Sequence, residues 1–140
     1  MSASDGILLV AATPLGNVGD ASARLRDALA NADVVAAEDT RKARRLAADL
    51  GVRIGGKVIS HYDAVESERA QVIAEHVAAG RTVVVVTDAG MPSVSDPGLA
   101  AVRACIEADL PVTCLPGPSA VTTALVLSGL PSDRFVFEGF

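Results

Sequence analysis

Four consecutive valines at positions 83–86 constrain the fold of this chain more than any other feature of its sequence. A strand that is apolar at every position needs cover on both faces, which is typical of the middle of a parallel sheet. The valines run directly into TDAGMPSVSDPG, a stretch with two prolines and two glycines. Connections between a strand and a helix usually span about two to six residues. The long, stiff loop at 88–98 is therefore interpreted as a binding loop at the carboxyl end of a central strand.

The rest of the sequence alternates between strand and helix patterns. Strands are predicted at residues 7–12, 33–37, 57–60, 83–86, 112–115 and 134–137, and helices at about 20–32, 40–50, 66–79, 98–108 and 120–128. Asp20 and Thr40 are expected to cap the first two helices. This alternation predicts an α/β fold, a mainly parallel sheet with helices on both faces. The pattern does not determine the order of the strands.

Composition limits the class of protein. A chain of 140 residues, 50% of them hydrophobic, suits one domain with a substantial core. Aromatic residues make up only 3% and the net charge is −5, which argues against a stacking platform for nucleic acid and against a basic footprint over the whole domain.

Cys105 and Cys114 are expected to be buried, reduced thiols, and no metal site is predicted. The amino terminus has no basic leader and the first apolar run is short, so a soluble, cytoplasmic protein is expected.

Three loops follow the carboxyl ends of predicted strands. They are TPLGN at 13–17, DAGMPSVSDPG at 88–98 and PGPSA at 116–120. In a parallel sheet these ends share one edge, so the loops are expected to converge. None of them carries the glycine patterns of phosphate or dinucleotide loops, which weakens the case for nucleotide hydrolysis or NAD binding. Backbone groups, small side chains and a carboxylate suit a neutral or cationic ligand with an adenosine-like body.

These loops, together with AEDTR at 37–41 and SGLPSDRFVFEGF at 128–140, resemble the tetrapyrrole methylase superfamily over residues 7–140. AEDTR and LPSDRFVFEGF are most similar to the members that methylate a cytidine ribose 2′-hydroxyl of small-subunit (16S) ribosomal RNA. They are less similar to members of the corrin and diphthamide pathways. The resemblance implies a homodimer of two-domain subunits with S-adenosylmethionine between the domains. Residues 1–140 would be the amino-terminal domain, and the carboxyl-terminal domain would be absent from this chain.

The resemblance also implies which residues lie at the methyl-donor site. Matched motif by motif, the implied cofactor-binding residues are Pro14, Asp88, Ala89, Gly90, Ser95, Asp96, Pro97, Gly98, Ser119 and Ala120. The segment SHYDAVE at 60–66 departs from the family pattern, so no role is assigned to it. His61 within it is expected at the surface.

A ribose hydroxyl becomes a good nucleophile only when a base removes its proton. Glu38 and Asp39, at the end of the second predicted strand, are the candidate bases, and Asp88 and Asp96 are weaker ones. For Asp39 a role at a helix amino terminus is an equally good interpretation. For Asp96 helix capping is the better one.

The helix at 40–50 has an apolar face and a cationic face. At 100° per residue, the cationic face carries Arg41, Lys42, Arg44 and Arg45. These side chains form a candidate RNA-binding stripe, although a solvated surface helix gives the same pattern.

Two other functions remain open from the sequence. One is a small-molecule methylase of the same superfamily that acts on a tetrapyrrole or precorrin, an activity that would not need a cationic stripe. The other is a binding or assembly module, because the fragment would lack half of the expected cleft. The isolated fragment is expected to bind the methyl donor weakly and to transfer no methyl group.

Overall fold

The computed structural model describes residues 5–61, 66–94 and 98–140. The strands are Ile7–Ala11 (β1), Val34–Ala37 (β2), Lys57–Ser60 (β3), Thr82–Val86 (β4) and Val112–Leu115 (β5). The helices are Ala23–Asn31 (α1), Thr40–Asp49 (α2), Glu66–Ala78 (α3), Leu99–Glu107 (α4) and Ala120–Ser128 (α5). The five strands form one sheet in the order β3-β2-β4-β1-β5, and every neighbouring pair is parallel. The predicted α/β class is confirmed.

The valine strand β4 lies at the centre of the sheet, between β2 and β1. Val83 and Val85 pack into a core with α3 and α4, on one face. Val84 and Val86 pack into a second core with α1 and α2, on the other face. All four side chains are at most 2% exposed. Each contributes about 1.5–3 kcal/mol by burial, which explains why no position from 83 to 86 is polar.

The helix caps differ from the predicted ones. Ser22, not Asp20, begins α1, because its side chain accepts a hydrogen bond from the Leu25 N–H at 3.0 Å. Asp20 instead ends a short 3₁₀ turn. Asp39, not Thr40, caps α2, and Thr40 is its first helical residue. A capping side chain accepts hydrogen bonds from amides two or three residues later in the sequence. This geometry requires extended backbone at the cap residue itself.

The strand predicted at 134–137 is not formed. The chain beyond α5 has no regular structure, and Phe135 and Val136 are 52% and 81% exposed. An extended apolar segment becomes a strand only where a neighbouring strand satisfies its backbone groups. Among the described residues no strand pairs with this segment, so its apolar pattern did not determine its structure.

The two cysteines also differ from each other. Cys105 on α4 is fully buried, as expected, whereas Cys114 on β5 is exposed, and both are free thiols. β5 pairs only with β1 and forms an edge of the sheet, where cover is incomplete. The expectation of two buried thiols was therefore wrong for Cys114. Within the described ranges, no helix has the length and apolar character needed to cross a membrane.

Candidate functional site

The loops after β1 and β4 are joined at the carboxyl edge of the sheet. Thr13 and Gly90 exchange two backbone hydrogen bonds, from the Thr13 N–H at 2.9 Å and from the Gly90 N–H at 3.0 Å. The Thr13 hydroxyl also donates to the carbonyl oxygen of Thr87 at 3.3 Å. β1 and β4 are neighbours whose following helices pack on opposite faces, and such a point in an α/β sheet is where ligands bind. The predicted convergence at one edge is confirmed for these two loops.

The third loop, after β5, reaches the same place. A small recess of about 20 Å³ is lined by Ala89, Gly90, Met91, Val94, Ser119, Ala120, Val121 and Phe140. Four of these residues were predicted at the cofactor site: Ala89, Gly90, Ser119 and Ala120. A volume of this size holds about one water molecule. The described residues therefore do not enclose a space large enough for a nucleoside.

Gly90 is the residue on which the three loops pack. Its φ of +82° is a conformation that side chains disfavour. A Cβ at this position would lie 3.2 Å from a methyl carbon of Leu15 and 3.9 Å from the carbonyl oxygen of Pro118. The loop after β4 thus comes close to both other loops at a position that lacks a side chain. Pro14, a further predicted site residue in the loop after β1, is buried.

Asp88 faces α2. Its Oδ2 atom accepts a hydrogen bond from Lys42 Nζ at 3.1 Å, and its backbone N–H donates to Glu38 Oε1 at 3.0 Å. The hydrogen bond to Asp88 and its negative charge raise the pKa of Lys42 above 10.5. The structure thus joins a predicted cofactor residue, a predicted RNA-binding residue and a candidate base in one network that links β4 to α2.

Asp39, the second candidate base, lies at the start of α2. Its Oδ1 atom accepts hydrogen bonds from the N–H groups of Arg41, at 2.9 Å, and Lys42, at 3.4 Å. Desolvation alone would raise the pKa of Asp39, but these two hydrogen bonds and the nearby positive charges together hold it below 3.8. The geometry is that of a helix cap.

His61 was expected at the surface and is fully buried. Its N–H donates to the carbonyl oxygen of Ala37 at 2.7 Å, so the parallel pairing of β3 with β2 continues one residue beyond β3. The extended pairing places His61 at the carboxyl end of β3, with its backbone bonded to the residue that precedes Glu38. The sequence could not predict the burial of His61, because the residues around it show no periodic pattern of apolar side chains.

Some predicted site residues fall outside the described part of the chain. These are Ser95, Asp96 and Pro97 of the loop after β4, together with residues 62–65 of the divergent segment. Gly98 is described, and it occupies the position immediately before α4 with a φ of +133°. The expected capping of α4 by Asp96 therefore lies outside the described residues, and the N-cap position itself belongs to Gly98.

The outward face of α2 is cationic, as predicted, but its four charges are not equivalent. Lys42 binds Asp88, and Arg41 Nε lies 3.7 Å from Asp39 Oδ1. Arg44 and Arg45 are exposed, and neither forms an ion pair within residues 5–61, 66–94 and 98–140. No three His, Cys, Asp or Glu residues in those ranges come together as a possible metal site.

The fold is a doubly wound α/β domain, a class in which ligands bind at the carboxyl ends of the parallel strands. The sequence profile of the Tetrapyrrole (Corrin/Porphyrin) Methylases matches residues 8–138. The chain therefore belongs to the tetrapyrrole methylase family.

Its curated relatives carry a more specific name. The chain is 61% identical over 137 residues to a protein of Mycobacterium tuberculosis (strain H37Rv) named ribosomal RNA small subunit methyltransferase I. It is 46% identical over 134 residues to the Vibrio cholerae protein of the same name. These alignments cover 98% and 96% of the chain but only 48% and 46% of the relatives. The chain thus spans about half the length of the curated relatives that it matches.

Solved structures with the same fold include two of uroporphyrin-III C-methyltransferase from Thermus thermophilus. They superimpose with TM-scores of 0.59 and 0.61 at 23% and 24% identity, over 90% and 89% of this chain and 53% and 52% of theirs. This likeness shows the fold.

Proposed function

We propose that this chain is the amino-terminal domain, residues 1–140, of an S-adenosylmethionine-dependent methyltransferase. The substrate would be a cytidine ribose 2′-hydroxyl in small-subunit ribosomal RNA, free or in the assembled small ribosomal subunit. One observation carries the proposal: 61% identity over 98% of the chain to a protein named ribosomal RNA small subunit methyltransferase I. Since small ribosomal subunits are found in the cytoplasm, the protein would act there.

The recess is the proposed contact for the methyl donor. Its lining is mostly apolar, and none of the described residues that line it is basic, so it suits a positively charged sulfonium better than a phosphate. S-adenosylmethionine supplies an electrophilic methyl group on that sulfur. Ala89, Gly90, Ser119 and Ala120 would hold its nucleoside, and Pro14 would shape the adjoining loop. We extend the same proposal to Asp88 and to Ser95, Asp96, Pro97 and Gly98.

A recess of about 20 Å³ cannot enclose a nucleoside, so the site needs a second wall. We propose a carboxyl-terminal domain in that role, consistent with relatives about twice as long as this chain. The exposed apolar surface of α5 and the segment after it supports the proposal, because burial against another domain would cover it. The family resemblance further implies a homodimer of the whole protein.

For proton removal we propose Glu38 as the base in preference to Asp39. The hydrogen bonds at Asp39 lower its pKa, and a lower pKa makes a carboxylate a weaker proton acceptor. Glu38 lies at the carboxyl end of β2, and its Oε1 atom is held by the Asp88 N–H. A base positioned in this way contributes about 10²–10⁴-fold to the rate.

For RNA contact we propose the outward face of α2. Arg44 and Arg45 have no ion pair in the described ranges and are available to phosphates. Arg41 and Lys42 would contribute less, because Asp39 and Asp88 partly compensate their charge.

The test uses the full-length protein with S-adenosylmethionine that carries an isotopically labelled methyl group. Undermethylated small ribosomal subunits and a precorrin are offered separately. We expect the label in ribosomal RNA, at a ribose that resists alkaline cleavage, and a loss of rate of about 10²-fold or more in Glu38→Gln. Label on the precorrin would instead favour a tetrapyrrole methylase. We expect residues 1–140 alone to bind the donor weakly and to transfer nothing, and turnover by this fragment would contradict the need for a second wall.

A further inference from the structure

A groove away from the recess brings two arginines together. Arg44 on α2 and Arg53 in the connection between α2 and β3 line an open groove of about 390 Å³. Its other lining residues are Ala47, Ala48, Val52, Ile54, Gly56 and Val58. No acidic side chain of the described residues lines it. Arg53 belongs to none of the motifs that the proposed function uses.

We propose that this groove binds a backbone phosphate of the RNA strand that flanks the target nucleotide, with Arg44 and Arg53 as its two cationic contacts. The proposal rests on the RNA substrate proposed above. Guanidinium groups present planar forks of N–H donors that match phosphate oxygens, and two of them can contact one phosphodiester from both sides.

The part of the chain that the structure describes does not neutralise either arginine. Within residues 5–61, 66–94 and 98–140 no carboxylate forms an ion pair with Arg44 or Arg53, although the chain has a net charge of −5. The carbonyl oxygens at the end of α2 would repel an anion, but three of them already accept hydrogen bonds. These are Leu46, Ala47 and Ala48, which accept from the N–H groups of Leu50, Val52 and Gly51. The local charge of the groove is therefore positive, and an anion would relieve it.

The backbone that carries Arg53 is anchored at both ends. The Val52 N–H donates to Ala47 O at 2.9 Å, and the Lys57 N–H donates to Asp33 O at 2.9 Å. At Gly56 a Cβ would collide with the carbonyl oxygens of Ala32 and Asp33, so this turn packs directly against the end of α1. Because the segment is already held, binding a phosphate would order little besides the two side chains.

The groove is also separated from the reaction site. α2 has ten residues, about 15 Å of helix, and begins at the edge where Glu38 and Asp88 lie. The groove lies near the other end of the helix, at Ala47 and Ala48. A ligand there would not reach the reacting ribose. The contribution of Arg53 is therefore expected in RNA affinity and not in the chemical step.

The experiment compares Arg53→Glu with Arg103→Glu in the full-length protein. Arg103 is an exposed arginine on α4, on the opposite face of the sheet, so the control makes the same change in net charge. Binding of a small-subunit RNA fragment is measured over a range of salt concentrations. We expect Arg53→Glu to weaken binding at least about tenfold and to reduce the salt slope by roughly one unit, with the loss falling on KM for RNA more than on kcat. Arg53→Lys should recover most of the affinity.

Equal weakening of RNA binding in the two Glu variants would overturn the proposed phosphate site, since the effect would then follow net charge alone. An unchanged affinity and salt slope in Arg53→Glu would overturn it as well. In either case, methyl transfer to ribosomal RNA by the wild-type protein would leave the proposed function in place. Wild-type protein that transfers no methyl group to that RNA would instead contradict the proposed function itself. Thermal unfolding of each variant is measured as a control, and we expect the exposed substitutions to leave the fold intact.

Discussion

Asp39 shows how one carboxylate can satisfy two interpretations of a sequence. The motif AEDTR is compatible with a base and with a helix cap. In the structure its Oδ1 atom accepts two backbone hydrogen bonds at the start of α2, which is the geometry of a cap. Capping needs the ionised or amide oxygen, whereas proton abstraction needs a basic one. The two roles therefore respond differently to substitution.

We expect Asp39→Ala to lower the melting temperature of the chain near neutral pH. Asp39→Asn should lower it much less, because Asn also caps helices well. The folded pKa lies below the usual value of 3.8, so the ionised carboxylate stabilises the fold above that value. This contribution is lost as the pH falls through the lower, folded pKa. The acid side of the stability profile should therefore be shallower in both variants. Thermal melts from about pH 2 to pH 7 measure this.

Loss of methyl transfer by full-length Asp39→Asn, at an unchanged melting temperature, would show instead that Asp39 acts on the substrate. It would then replace Glu38 as the proposed base.

His61 shows what residue-by-residue reasoning missed. It sits in a segment without a regular apolar pattern, and its neighbours suggested a surface loop. One further backbone hydrogen bond to Ala37 extends the pairing of β3 with β2, and the His61 side chain is fully buried. Burial that results from strand register cannot be read from local composition.

Among the secondary-structure elements, the carboxylates of Glu38 and Asp88 connect the ends of β2 and β4 to α2 at the carboxyl edge of the sheet. Glu38 Oε1 receives the Asp88 N–H, and Asp88 Oδ2 receives Lys42 Nζ. The exposed Lys42–Asp88 ion pair contributes little on its own. The hydrogen bond to the backbone is directional and restrains the first turn of the loop after β4. That loop contributes Ala89 and Gly90 to the recess.

We expect Glu38→Ala to increase hydrogen exchange at the Asp88 amide, because the variant removes its acceptor. Glu38→Gln should leave exchange close to that of the wild type, since the Gln side-chain oxygen can accept the same hydrogen bond. Exchange at the Val84 amide, in the central strand, is the internal control and should not change. Slow exchange at Asp88 in Glu38→Ala would show that the loop is held by other contacts.

Prediction of the elements succeeded where periodicity and burial agree. The valine strand was recognised because both of its faces must be covered, and each helix from α1 to α5 overlaps a predicted one. The caps of α1 and α2 were displaced by one or two residues, because several polar side chains near each start could serve. The prediction of a strand at 134–137 was wrong for a different reason. The segment is apolar, but no strand among the described residues pairs with it.

At the level of the whole chain, apolar exposure is concentrated after residue 125. Exposed large apolar residues there are Val126, Leu127, Leu130, Phe135, Val136, Phe137 and Phe140. An apolar cleft of about 420 Å³ separates α5 from the segment that follows it. The sheet, by contrast, is covered on both faces by α1 to α4. Contiguous apolar surface of this kind is a contact surface or a liability for association.

We expect the 1–140 chain to bind a hydrophobic dye and to self-associate with increasing concentration. The double variant Leu127→Glu with Val136→Glu should reduce both effects several-fold, because the two side chains are 81% exposed and lie on the apolar surface. Ile106→Glu, at an exposed apolar position on α4, is the control and should have little effect. Dye fluorescence and sedimentation measure the two properties. A chain that stays monomeric and binds no dye would contradict the idea that this surface needs a partner.

The sequence alone was sufficient for the class of fold, for the central strand and for the set of loops that meet at the carboxyl edge of the sheet. These features depend on local periodicity, on turn residues and on motifs that are contiguous in the chain. It could not supply the strand order, the burial of His61, the link from Glu38 through Asp88 to Lys42, or the groove between Arg44 and Arg53. The first three depend on contacts between segments far apart in the chain or on the register of paired strands, which form only on folding. The groove depends on the course of the turn between α2 and β3, which the sequence pattern did not predict.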